Sequence, residues 1–535
     1  MKGRLIRILA LAVCLAGAAL FGFAQGNPAT LTILHTNDTH SSLVPFGPNG
    51  HFGGIARMAT LLKRLKGSDP NVLTLNAGDV FVGSFEFNKY LGYPELKLME
   101  SFYDAMALGN HEFDLGTEVL AGVLSGQLAG EAPVALPILC ANINLAAQPS
   151  LKPFIKPRLI KTVGSLKVGI TAVVNADAQN YSQDVFKLLK DPYQAAGLQA
   201  GRLRAEGCQL VICVSHLGRL ADLMGLSQVP GIDIIVGGHS HDFVRTPYVL
   251  NGKIIVQAGE MGKALGALKV RVSGGKVSLE SYKLYTVTSA VKADPVVQAT
   301  VDALKAGVEQ DPRFGKVYTR AVATAQVDLE ERWKAGDPNR DTALGNLVSD
   351  AIRTGVRNAG FRADIGLEAL GYTAYRIHRG PVVGNDILRA VPYGYDPASG
   401  LGFKINCVML RGDQLLAGLE YSVSLVEYTD DLSLQPSGLT YRYDSRRAAS
   451  PRLGEINRLD LSSVRINGQS INPLGLYWVA MSEQLTKFLV SLGMTPAKVV
   501  PTGLLEYNIV RDFMKAKKTL NYAAEGRVVD VRYLN

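Results

Sequence analysis

The stretch LGNHEFDLG (108–116) closes the apolar run AMAL (105–108) with a glycine, then sets Asn110, His111, Glu112 and Asp114 within five residues. A short apolar run that stops at Gly-Asn reads as a buried strand feeding a polar loop. The same arrangement recurs on both sides of it. LTIL (31–34) runs into His35-Thr36-Asn37-Asp38-Thr39-His40, and VLTL (72–75) into Asn76-Ala77-Gly78-Asp79. Downstream, LVICV (210–214) runs into Ser215-His216, and DIIV (233–236) into Gly237-Gly238-His239-Ser240-His241. PILC (137–140) and KVGITAVV (167–174) are further strand candidates, while Ile55 to Lys66 and Glu95 to Phe102 have helical spacing. From Leu31 to about Leu284 this alternation predicts α/β architecture.

The 535 residues predict two or three domains at about 100–200 residues each. With 47% hydrophobic and 19% charged residues, disorder through charge excess is excluded, and 55 glycines suit tight strand-to-loop turns. Of the formal +9, Lys2, Arg4 and Arg7 sit at the start, and no block of five like charges follows, which argues against a nucleic-acid groove. Those cations precede an uncharged run from Ile8 to Ala24 and then Gln25-Gly26-Asn27-Pro28, the form of a secretory signal peptide over 1–24. Export to the periplasm, cell surface or medium is therefore expected. Retention as an anchor is the alternative, but the run is shorter than the ~20 residues that span a bilayer. A lipoprotein site at Cys14 would need a small residue where Val13 stands. Cys140, Cys208, Cys213 and Cys407 have no C-x-x-C spacing and read as buried thiols, with a Cys208–Cys213 disulfide left open.

KADPVVQATVDALKAGVEQDPRFG (292–315), with Pro295 near its start and an Asp-Pro then Gly stop, predicts a connecting helix. The expected organisation is a first domain over 28–290, a linker helix over 291–315 and a second domain over 316–535. ALGNLVSDAIRTGV predicts a helix early in that second domain, and Gly- and Pro-punctuated strands follow it.

In open α/β sheets, ligand sites form outside the carboxyl ends of strands, so five polar clusters after five strands converge in one crevice. Imidazole, carboxylate and amide oxygen without thiolate suit Zn, Mn, Co or Fe. Seven candidate ligands are too many for one tetrahedral ion and divide between two ions about 3.5–4 Å apart. Such a pair clamps both oxygens of a displacement at phosphorus and lowers the pKa of water to near 7. His35, His51 and His378 have no partner motif and read as ordinary structural histidines.

Thr36-Asn37-Asp38-Thr39-His40, GGIARMATLLKRLK (53–66), NAGDVFVGS (76–84), LGNHEFDLG (108–116), VSHLG (214–218), IDIIVGGHSH (232–241) and VQAGEMGKALG (256–266) resemble the bacterial 5′-nucleotidase and UDP-sugar hydrolase family. The resemblance implies a calcineurin-like metallophosphoesterase β-sandwich flanked by helices, followed by an α/β 5′-nucleotidase C-terminal domain. Carried over by position, it puts Asp38, His40, Asp79 and His241 on one metal and Asp79, Asn110, His216 and His239 on the other, with Asp79 as bridge. It makes His111 and Asp114 catalytic. A carboxylate three residues from a histidine can fix its tautomer and favour the imidazolium that faces a phosphoryl oxygen. The ordinary alternative for Asp114 is a helix N-terminal cap.

Arg340-Asp341-Thr342-Ala343-Leu344-Gly345-Asn346-Leu347 is similar to the family's Arg-acid-x-Asn-x-Gly-Asn opening, which makes Arg340 a substrate contact. Val391-Pro392-Tyr393-Gly394 is similar to its Pro-Phe-Gly segment, which implies that Tyr393 stacks on a nucleobase. The family's Asn-Gly-Gly-Gly-Ile-Arg is replaced by Ala369-Leu370-Gly371-Tyr372-Thr373-Ala374, so its Asn and Arg are both missing, and Arg376, two residues on and on the same side of a strand, is the candidate to substitute as a substrate contact. Its second aromatic and Gly-Gly-Asp-Gly turn give way to YWVAMSEQLTKFLVSLGM (477–494), with Gln484 in the aromatic place. The expectation is an exported dinuclear-metal phosphoesterase acting on small phosphate esters, 5′-nucleotides or related nucleotides, with no nucleic-acid polymer as partner and no membrane span once the signal is removed. Hydrolysis of a non-nucleotide phosphate or sulfur ester, or a non-catalytic surface-binding role, are the alternatives.

Overall fold

The computed structural model describes residues 28–176, 188–427, 429–450, 452 and 454–534. The signal reading over 1–24 lies outside them. Among the described residues no helix is long and apolar enough to cross a membrane.

The first half is built on thirteen strands: β1 Ala29–Thr36, β2 Val72–Asn76, β3 Ala105–Ala107, β4 Ile138–Leu139, β5 Ile155–Lys156, β6 Arg158–Val163, β7 Leu166–Val174, β8 Leu210–His216, β9 Ile234–Gly237, β10 Tyr248–Leu250, β11 Lys253–Val256, β12 Ala264–Ser273 and β13 Lys276–Thr286. They form a seven-stranded sheet, in order β13-β12-β1-β2-β3-β4-β5, and a six-stranded sheet, in order β10-β11-β9-β8-β7-β6. β1, β2 and β3 run parallel in the first, and β7, β8 and β9 in the second. Alternation along a strand decides what each face buries. Leu31 and Ile33 join Leu73, Leu75, Val168, Ile170, Ile212 and Val236 in the core between the sheets, whereas Leu34 faces outward onto helix residues Ala59 and Leu62. The result is the helix-flanked sandwich expected.

Helix starts follow their caps. Thr342 accepts from the Gly345 N–H at 2.9 Å and opens the helix Ala343–Asn358. Asp294 accepts from the Val296 and Val297 N–H groups and opens the connecting helix Pro295–Gln310. That helix buries Val297 and Val301 in the core of the first half and Val308 in that of the second. The expected Glu95–Phe102 helix is shifted: it spans Tyr93–Glu100, because Pro94 suits a helix's first turn. The second half carries three-, five- and four-stranded sheets. Cys140, Cys208, Cys213 and Cys407 are buried free thiols, so the Cys208–Cys213 disulfide does not form.

The two halves are joined by more than the connecting helix. Phe85, which opens the helix Phe85–Tyr90 just after the Asp79 loop, is fully buried in the core of the second half, 5.1 Å from the Phe314 ring and 5.4 Å from Tyr507. Asn88 donates to the Gly400 carbonyl at 2.8 Å. From the other side, buried Arg389 lies 4.2 Å over the Phe46 ring and donates to the Ser42 hydroxyl at 3.3 Å.

Candidate metal centre and substrate cleft

The carboxyl ends of β1, β2, β3, β8 and β9 bring two groups together. Ligand atoms of Asp38, His40 and His241 lie within 4.8 Å of one another, as do those of Asp79, His216 and His239. The groups adjoin: His216 Nε2 is 3.0 Å from Asp79 Oδ2 and 3.8 Å from Asp38 Oδ1. Asn110 is buried beside Asp79, whose Oδ1 accepts from the His111 N–H at 2.9 Å. The loops interlock so closely that a Cβ on Gly109 would overlap Asp79 Oδ1. Five of these residues hold left-handed backbone angles that side-chain-bearing residues rarely adopt: Asp38 (φ 48°), His40 (44°), Asp79 (53°), His239 (73°) and His241 (57°).

The imidazoles are set for ligation from behind. His216 Nδ1 faces the Ala77 carbonyl at 2.6 Å, His40 Nδ1 the Phe81 carbonyl at 3.3 Å, and His241 Nδ1 the Glu260 carboxylate at 2.9 Å. Each acceptor takes the Nδ1–H and leaves the Nε2 lone pair pointing inward, where His40 Nε2 and His241 Nε2 lie 3.2 Å apart and His241 Nε2 is 3.4 Å from Asp38. Lone pairs opposing lone pairs and carboxylates call for a cation, so the donor set fits divalent metal ions of the nitrogen- and oxygen-preferring kind. Burial opposes a charged His216, but Asp79 and Asp38 push it up to about 10.

His111 stands beside this cluster with Nε2 4.0 Å from Asp79 Oδ2 and Nδ1 3.0 Å from Asp114. Burial would lower its pKa, yet Asp114 and then Asp79 raise it to about 9. Asp114 faces the imidazole, and the N-cap position of the next helix, Thr117–Leu124, is Gly116.

In the second half the three expected substrate contacts have different surroundings. Arg340 is 6% exposed, with its guanidinium 5.3 Å from the Trp333 ring, 4.5 Å from Tyr533 and 3.9 Å from Asp530. Arg376 pairs with Glu330 at 3.0 Å and Glu331 at 3.4 Å. It does not stand on a strand: β pairing stops at Ala369, Leu370–Tyr372 is a helical turn and the chain beyond is irregular, so the same-side argument for Arg376 fails. Tyr393 lays its ring on His111, centres 5.3 Å apart and planes 18° apart.

Three residues were given no role by the sequence: Glu112 and Glu260, which lie inside quoted motifs, and Arg332, which lies in none. Glu112 accepts from the backbone N–H groups of Asp79, Val80 and Gly109. Its signal was a carboxylate amid glycine-rich turns that present more donors than acceptors. Glu260 holds His241 and pairs with Lys263, its partner three residues on. Arg332 donates to the Leu370 carbonyl at 3.2 Å and meets Asp430 and Asp431 at 3.5 Å.

The calcineurin-like phosphoesterase family model matches residues 31–243, and the 5′-nucleotidase C-terminal domain model matches residues 321–487. The crystal structure of a 5′-nucleotidase precursor from Thermus thermophilus is 30% identical, aligns over 94% of this chain and 99% of that one, and superposes with a TM-score of 0.79. The 5′-nucleotidase of Diplobatis ommata is 28% identical over 96% of this chain and 92% of its own. At 19% identity, the sulfate thiohydrolase SoxB of Thermus thermophilus shares the fold, with a TM-score of 0.73 over 94% of this chain and 96% of that one.

Proposed function

The chain belongs to the 5′-nucleotidase family of calcineurin-like metallophosphoesterases, which are hydrolases, and we propose that it is an exported enzyme releasing phosphate from 5′-nucleotides. The observation that carries this reading is the set of three imidazoles whose Nδ1 atoms are engaged from behind and whose Nε2 atoms turn toward Asp38 and Asp79. Asp38, His40, Asp79 and His241 would hold one divalent cation, and Asp79, Asn110, His216 and His239 a second. A bound pair supplies Lewis acidity toward the phosphoryl oxygens and lowers the pKa of water toward neutrality.

The chain's own groups do the rest. Asp114 holds the Nδ1 side of His111, which keeps a proton available at Nε2 on the cleft side, where it stabilises charge on the phosphoryl oxygens or protonates the leaving group. We assign catalysis to residues 28–290 and substrate capture to 316–535, with 291–315 connecting them. Arg376 and Tyr393 border the cleft in this reading. Export rests on the signal-like segment 1–24, followed by a periplasmic or extracellular location.

A second reading is favoured by Arg340. Enclosed by Trp333 and Tyr533, it leaves a nucleotide without the arginine that the motif implies, and a smaller phosphate ester then becomes the substrate. Phosphate release after reloading with Mn or Zn, measured across nucleoside monophosphates, cyclic nucleotides, UDP-sugars and alkyl phosphates, separates the two. Selective turnover of 5′-nucleotides supports the first reading, and equal turnover of alkyl phosphates the second.

A further inference from the structure

Tyr393 reaches the metal centre from the other half of the chain. It follows the helix Gly384–Ala390, packs against the apolar cluster of the first half and covers one face of His111. The turn behind it is tightly seated. Gly394 has φ 81°, a Cβ there would overlap the Phe403 ring, and the Phe403 N–H donates to the Tyr393 carbonyl at 3.2 Å. Tyr372 meets the Tyr393 ring edge-on, centres 6.2 Å apart, and itself meets Phe403 at 5.3 Å. A series of rings thus runs from the second half to the imidazole.

Asp114 and Tyr393 constrain His111 in different ways. A hydrogen bond to Nδ1 limits rotation of the ring about Cβ–Cγ, yet its direction tolerates a tilt that displaces Nε2. A ring laid flat on the imidazole fixes its plane. We propose that Tyr393 is a positioning residue for His111, holding the plane of the imidazole so that Nε2 faces the metal centre whether or not the substrate carries a base. The inference rests on the reading of His111 as the group that acts on the phosphoryl oxygens. It assigns Tyr393 a duty separate from the base stacking that its motif implies, because one face of its ring is already taken.

The test compares Tyr393→Phe and Tyr393→Leu with the parent as full-length, Mn-loaded protein, on an alkyl phosphate and on a nucleoside monophosphate. Positioning requires Tyr393→Leu to lower kcat about tenfold or more on both substrates, with the alkyl phosphate KM within about twofold. Tyr393→Phe, which keeps the ring, stays within about threefold of the parent, and in a His111→Ala background Tyr393→Leu has no further effect. A rise in nucleotide KM alone, with kcat on the alkyl phosphate unchanged, overturns the proposal in favour of base stacking. A second readout is independent of turnover: in the diamagnetic Zn-loaded protein, the His111 ring-proton resonance is shifted upfield by the stacked ring and moves back in Tyr393→Leu. A parent resonance without that shift overturns the ring contact. A parent that turns over no ester defeats the functional reading itself, leaving the ring contact to the resonance.

Discussion

Glu112 holds Asp79 from behind: its carboxylate accepts the Asp79 N–H at 3.1 Å, together with Val80 at 2.7 Å and Gly109 at 2.6 Å. One buried side chain therefore ties the loop after β2 to the loop after β3, and Asp79 and Asn110 can occupy one site only while those loops stay in register. Glu112→Ala leaves each of these N–H groups without its acceptor, at about 1–3 kcal/mol apiece, and Glu112→Gln keeps one oxygen. Metal affinity is expected to fall about 10–100-fold in the alanine variant and less in the glutamine variant, as read by calorimetric titration of Mn into stripped protein.

Asp79 stands in one ligand group, with His216 and His239, and in the proposed reading it also serves the other. Asp79→Ala is expected to abolish turnover and to lower the metal content of dialysed protein from about two ions per chain to one or fewer. Metal analysis alongside phosphate release checks this, and substantial residual activity with both ions retained would remove Asp79 from its bridging place.

His111 is expected to separate chemistry from metal binding. His111→Ala lowers kcat by about 10²–10⁴ with metal content unchanged, and Asp114→Asn lowers it by about 10–100-fold. Loss of metal from the alanine variant would make His111 a ligand.

Glu368 and Glu506 share a hydrogen bond in the core of the second half, 0% and 2% exposed. Burial raises Glu368 from 4.5 to about 7, and burial together with Glu368 raises Glu506 well above its ordinary value. A raised acid binds its proton more tightly folded than unfolded, so the stability it contributes is complete below about pH 4.5 and is lost as pH rises through about 7. Glu506→Gln removes one ionisation and keeps a hydrogen-bonding group. Its Tm, recorded from pH 5 to 8.5 at constant metal, is expected to fall less than that of the parent, and equal slopes would remove the pair as a source of pH sensitivity.

The strand-end clusters were legible because each ligand-bearing turn follows its own apolar run directly, so local reading and topology agree. The same holds for helix starts at Asp294 and Thr342, where the cap and its first turn are adjacent in sequence. What escaped depends on distant partners. Tyr393 and His111 are 282 positions apart, and Arg340 is enclosed by Tyr533, from the far end of the chain. Neither pairing leaves a periodic trace, and a motif arginine reads identically whether it faces a ligand or a wall of rings. Phe85 shows the same limit in the fold: it directly follows the NAGDVFVGS motif of the first half, yet its ring belongs to the core of the second.

The left-handed backbone at Asp38, His40, Asp79, His239 and His241 makes the metal centre a liability to the chain that carries it. Each such angle costs on the order of 1 kcal/mol in a residue other than glycine. Selection for heat resistance in a chelating medium would therefore act against these five angles, and any variant that relaxed them with glycine would lose its ligands and with them its hydrolytic activity. Retention of the strained angles under such pressure then points to the reaction the site performs.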